Sequence, residues 1–217
     1  MHVPRQRRLL IAVISGSLVL TTLALIGMMG LLLGQTTQQP SEKSSSDTRN
    51  FATPAAPIAT PRPLLITSDS QRFARSVGHS LFTWDTRYDG SPTDWEQVLV
   101  DAADPSEAVA VASDVRGYLP VEKMWDQLRA YGTRQWIELE TSAVPTAWTT
   151  ALEQAAPGQI PRGAEAFTLV GVRHREGTWT TKAVHTERKV SFTVFVVCSG
   201  EAPCALLRLS RLDQPLW

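Results

Sequence analysis

VSFTVFVVCSGEAPCALLRLSRL, residues 190–212, is the stretch on which the fold turns. The run VSFTVFVVC (190–198) is apolar at both parities, as a central strand covered on two faces requires. CALLRLSRL (204–212) is its natural neighbour. The five residues SGEAP between them form a Gly/Pro loop, so the two runs read as a hairpin. Cys198 and Cys204 face each other across its mouth. They are open to two states, a disulfide or two free thiols, and an oxidising compartment favours the first. Their spacing is not Cys-x-x-Cys, and no second pair offers a zinc site. A bridge closing so short a loop fixes the hairpin end more than it stabilises the whole domain.

Upstream of this pair the period stays near two. FTLVGVRH (167–174) and TWTTKAVH (178–185) flank Arg-Glu-Gly, which reads as a three-residue hairpin turn. TRQWIELETSAV (133–144) alternates as another strand, and a short helical insertion is expected at 146–155. Helices come before. Ser68 and Gln71 make a capping box for a helix with Phe73, Val77 and Leu81 on one face, which runs into residues 82–86 and stops before Tyr88. A second helix is expected at 94–103, behind a Thr93/Glu96 box. A third follows Pro120, with Val121, Met124, Trp125 and Leu128 on one face and Gly132 at its end. Residues 104–119 stay ambiguous, because Ala108–Ala112 alternates like a strand while its alanines suit a helix. Helices followed by an antiparallel sheet predict an α+β domain, about three helices on a curved sheet of about four strands. Of seven tryptophans, Trp84, Trp95, Trp125, Trp136 and Trp148 fall on apolar faces and are expected in the core. Trp179 and Trp217 are the candidates for exposed or interface positions.

Residues 9–33, LLIAVISGSLVLTTLALIGMMGLLL, carry no charge, and a helix of that length spans a bilayer. A cleaved signal is the competing reading, but its apolar region is shorter and it ends in a small-residue cleavage site, which LLLGQTTQQ lacks. Arg5, Arg7 and Arg8 precede the span, and the next basic residue is Lys43, so the N-terminus is expected inside and the remainder outside. Four parts follow: a cytoplasmic stub at 1–8, a transmembrane helix at 9–33, a Ser/Thr/Pro-rich linker at 34–66 and an extracytoplasmic α+β domain at 67–217. The linker composition is that of a disordered spacer, or of a short partner-binding motif around Pro54–Pro63. The expected location is the plasma membrane, single-pass.

Three of the 21 basic residues and none of the 21 acidic ones precede residue 34, so the remainder carries a net charge of −3. That argues against direct nucleic-acid binding, which needs a basic footprint. No H-E-x-x-H, G-x-S-x-G, phosphate loop or metal-ligand spacing occurs. His79, Asp85 and His174 form an acid/base set only if a cavity between helix and sheet brings them together. The competing reading leaves them at surface and turn positions, with Asp85 accepting backbone hydrogen bonds at a helix end. No catalytic residue, cofactor or metal ligand is assigned.

The order of parts, with Phe82, Thr83, Trp84 and Asp85 at the end of a helix, GYLP (117–120), YGTRQW (131–136) and the ending VSFTVFVVC…LLRLSRLD, resembles the bitopic TcpC-like scaffold proteins of conjugation and type IV secretion in Gram-positive bacteria. GYLP, YGTRQW and the ending look similar to actinobacterial members, and VirB-eight-like components are related in fold. The resemblance implies a nuclear-transport-factor-2-like (cystatin-like) roll, no catalytic activity, homo-oligomers and contacts with other conjugation-channel subunits. Larger TcpC-like proteins carry two such domains, whereas this chain has room for one. The alternative is an exported ligand-binding protein or enzyme on the same fold.

Overall fold

The computed structural model describes residues 57–200 and 202–217, and the expected transmembrane segment 9–33 lies outside them. Among the described residues no helix is long and apolar enough to cross a membrane. The architecture is α+β, five helices against a curled antiparallel sheet of five strands.

Helix α1 (Ser70–Phe82) begins at Asp69, whose carboxylate accepts from the Arg72 N–H, so Asp69 and not Ser68 is the cap. Its buried stripe of Phe73, Ala74, Val77 and Leu81 follows the expected four-residue spacing. Strand β1 (Trp84–Asp85) follows at once. Helix α2 (Pro92–Asp101) opens on a Ser91/Asp94 capping box, two residues earlier than the Thr93/Glu96 box expected. The ambiguous stretch is helix α3 (Ala108–Arg116), in which Val111 and Val115 are buried. Helix α4 (Glu122–Arg129), strand β2 (Arg134–Ala143) and helix α5 (Thr146–Gln154) stand at the expected positions. Of the expected α4 face, however, Trp125 is buried and Leu128 partly so, while Val121 and Met124 are exposed.

The long hairpin departs from expectation. β3 (Ala164–Trp179) and β4 (Lys182–Val197) each run 16 residues, and the chain reverses at Thr180–Thr181, not at Arg-Glu-Gly. β5 (Ala205–Leu209) completes the order β1-β2-β3-β4-β5. Cys198 and Cys204 are joined by a disulfide where β4 hands over to β5.

Helix α1 lies on the concave face, against Leu169, Phe192 and their neighbours, while Trp95, Leu99, Val111, Val115 and Trp125 bring the other helices into the same core. A smaller cluster forms on the convex face, where Trp148 of α5 covers Ala166 and Leu207. Beside it the C-terminal tail crosses β3 and β4: the Thr168 hydroxyl donates to the Leu216 carbonyl, and the Leu216 N–H donates to the Thr193 hydroxyl. Residues 57–66, expected as the end of the linker, lie on the domain. Leu64 packs against the main core and the Ala59 N–H donates to Asp85.

Curvature is built in at Gly171. The β2–β3 register shifts between Leu139 and Thr141, and a Cβ on Gly171 would sit 2.5 Å from the Glu138 carbonyl oxygen. Gly171→Ala is therefore expected to lower stability by about 1–3 kcal/mol, read as a shift in the urea midpoint at unchanged slope.

Candidate functional site

Phe82, Thr83, Trp84 and Asp85 act in succession as a structural knot. The Phe82 ring meets Tyr118 edge-on at 5.8 Å and Phe192 at 5.2 Å. Thr83 caps α1, and its carbonyl accepts from Trp95 Nε1 at 2.7 Å, tying α1 to α2. Trp84 is fully buried, 5.6 Å from the Trp125 ring, with the Arg175 guanidinium 5.2 Å above its own. Asp85 is also fully buried. Its carboxylate accepts from the Arg87 N–H and guanidinium and from the Ala59 N–H. Burial alone would raise its pKa, but these hydrogen bonds and the Arg87 charge outweigh it and hold the carboxyl below the ordinary range.

The space between helices and sheet, where a roll of this kind can host a ligand, is filled by aromatic rings. Trp95 lies 5.2 Å from both Trp125 and Tyr88, and Tyr118 stands 5.8 Å from Phe192. The Tyr118 hydroxyl donates to the Ser210 carbonyl, and burial pushes its pKa above the ordinary value. Openings lie at the periphery of the described residues. A cleft of about 480 Å³ lies between residues 57–65 and α1, lined by Ile58, Leu64, Ser76, His79 and Trp95. Partial desolvation there, and then the Arg75 charge, push the His79 imidazole below its usual pKa. A smaller one of about 180 Å³ lies between the end of α4 and the arm of the long hairpin, lined by Leu128, Tyr131, Thr133, Trp179 and Val184.

His79, Asp85 and His174 do not assemble into an acid/base set. His79 faces the cleft, Asp85 is engaged by Arg87, and His174 lies on the convex face of the sheet against Trp136. The two interface candidates are both exposed, Trp179 at 61% and Trp217 at 67%. They occupy opposite faces. Trp179 stacks on Tyr131 at 5.0 Å on the concave side, while Trp217 lines a shallow depression with Val170, Lys189 and Ser191.

Trp136 is a correction. It is half-buried on the convex face, whereas Gln135 and Ile137 point inward. Its ring lies flat on His174, at 5.1 Å and 8°. Around them stand His185, Glu187 and Glu138, a grouping that no sequence spacing announces. His174 Nδ1 is 3.3 Å and His185 Nε2 is 3.1 Å from Glu187 Oε1. The hydrogen bond with His185, and then the charges of both imidazoles when protonated, hold the Glu187 carboxyl below the ordinary range.

The chain matches no known family, no curated protein and no solved structure. Its own surfaces therefore carry the functional argument: a ring-filled interior, two exposed tryptophans on opposite faces, and a histidine–carboxylate cluster on the convex side.

Proposed function

We propose that this protein is a non-enzymatic, membrane-anchored scaffold of a conjugative DNA-transfer apparatus of the type IV secretion kind, its domain a nuclear-transport-factor-2-like roll held outside the plasma membrane. The observation that carries this reading is the interior. Where a ligand-binding or catalytic roll keeps convergent polar groups in an open cavity, Phe82, Trp84, Trp95, Trp125 and Phe192 leave a packed core. Exposed aromatics on two faces fit a protein that contacts both sister copies and channel subunits. The apolar segment 9–33 supplies the anchor in this reading.

The second reading, an exported ligand-binding protein, is favoured by the cleft under residues 57–65, whose volume falls in the range of small-molecule sites. A pull-down of the full-length chain from its native membrane in mild detergent separates the two. The scaffold is expected to recover a transfer ATPase or a polytopic channel subunit, to lose it on deletion of 67–217, and to recover less of it as Trp179→Ala or Trp217→Ala. A protein that comes down alone and binds a small molecule in the cleft sinks the scaffold reading.

A further inference from the structure

We propose that His174, His185 and Glu187 form a binding site for a divalent transition ion of the zinc class on the convex face of the sheet. The three donors come from facing positions of β3 and β4. Pairing of His174 with Glu187 and of Glu176 with His185 places both imidazoles around one carboxylate. Their ligand atoms all lie within 4.8 Å of one another. A tetrahedral ion with bonds of about 2.0–2.1 Å needs ligand–ligand edges of roughly 3.3 Å. The two edges through Glu187 Oε1, 3.3 and 3.1 Å, already have that length. The third, within 4.8 Å, closes by a small shift of the His185 side chain, which is 45% exposed.

The surroundings suit the ion as well as the donors do. The His174 side chain is buried, and its Nε2 has no hydrogen-bond partner, a costly state for an imidazole. With Nδ1 on the ion, Nε2 carries the proton and points to Glu138 Oε1, 3.6 Å away. Glu138 is largely exposed and needs to move only a few tenths of an ångström to accept it. This is the carboxylate–histidine–metal arrangement that fixes tautomer and ring orientation. Trp136, parallel to the His174 ring, blocks its rotation from the other side. The nearby cations are already paired, Arg134 with Glu176 and Lys189 with Glu140. Two imidazoles and a carboxylate select zinc, nickel or copper(II) over magnesium or calcium, which prefer all-oxygen sites. Three protein ligands leave the fourth position to water.

The test uses the full-length chain in detergent, without a histidine tag and stripped with EDTA, titrated with Zn²⁺ by calorimetry and with Co²⁺ by visible absorption. One ion per chain is expected, with the intense visible band of tetrahedral Co²⁺. His185→Ala and Glu187→Gln should each weaken binding by at least about 100-fold, and Glu138→Gln by about 10–100-fold. All three positions are exposed, so the metal-free variants should match the parent in circular dichroism and unfolding midpoint. Absence of Zn²⁺ binding, or binding that survives His185→Ala at parental affinity, overturns the assignment.

Discussion

Trp95→Ala should be among the most destabilising single substitutions in the domain, with an expected loss of about 3–5 kcal/mol. Trp95 is 1% exposed and sits where three elements meet. Its ring stands 5.2 Å from Trp125 of α4 and 5.2 Å, edge-on, from Tyr88 after β1. Truncation removes both contacts, each aromatic pair being worth roughly 0.5–1.5 kcal/mol beyond area burial. It also removes the Nε1–H that satisfies the Thr83 carbonyl at the end of α1. The neighbours cannot collapse into the gap, because Trp84 and Trp125 are themselves fixed by packing. Trp95→Phe keeps part of the ring volume and loses the donor, so about 1–2 kcal/mol is expected. Trp179→Ala, in contrast, deletes an exposed ring with one stacking partner and should stay within about 1 kcal/mol. Urea unfolding followed by far-ultraviolet circular dichroism, which does not depend on the deleted fluorophore, measures all three. Equal losses for Trp95→Ala and Trp179→Ala would show that the ring cluster is not the keystone of the core.

The residues that hold this core were mostly visible as pattern. Phe73, Val77 and Leu81 announced α1, and 190–196 announced a central strand, because burial on one face or two leaves a period in the sequence. The failures have particular causes. Ala108–Ala112 alternates, yet what α3 buries is Val111 and Val115, four apart, while Val109 is 87% exposed. The strand-like alternation comes from small residues that fit either period. Its apolar character places Trp136 in the core, but β2 has the opposite phase. Gln135 faces inward because its amide donates to the Phe82 carbonyl and accepts from Arg175, so a polar side chain is satisfied where an apolar one was expected.

The histidine–carboxylate cluster was hidden by one misplaced turn. Arg-Glu-Gly has turn composition, and a reversal at 175–177 would set His174 opposite residue 178. Gly177 serves another end. A Cβ there would come 3.0 Å from the Tyr131 carbonyl oxygen and 3.1 Å from the Thr133 hydroxyl, so glycine admits the chain leaving α4 close to the strand. With the reversal at Thr180–Thr181, where Thr180 takes φ 59°, His174 pairs with Glu187 and His185 with Glu176. Register alone makes the cluster, and register cannot be read from residue types when the turn is ambiguous.

Asp85→Ala should cost about 2–3 kcal/mol at neutral pH, and the cost should vanish in acid. Removing one partner of a buried ion pair costs about 3–5 kcal/mol when the other charge stays buried. Arg87 is 28% exposed and recovers part of its hydration, which places the expectation at the lower end. The Ala59 N–H loses its acceptor as well, so residues 57–65 should detach from the domain. The sign of the pH effect follows from the folded carboxyl being held below its unfolded value of about 3.9. Stability from Asp85 is then fully present above that value and is lost as pH falls through the lower folded pKa. The parent should lose stability through this window while Asp85→Asn, which cannot ionise, declines less. The gap between them should close as the carboxyl of the parent becomes protonated. Hydrogen exchange adds a local readout, since the Ala59 amide should exchange faster in the variant at neutral pH without global unfolding. If the gap persists unchanged as pH falls well below the unfolded value of about 3.9, Asp85 acts by shape and not by charge. If it closes, the charge of one buried carboxylate is what holds residues 57–65 on the domain.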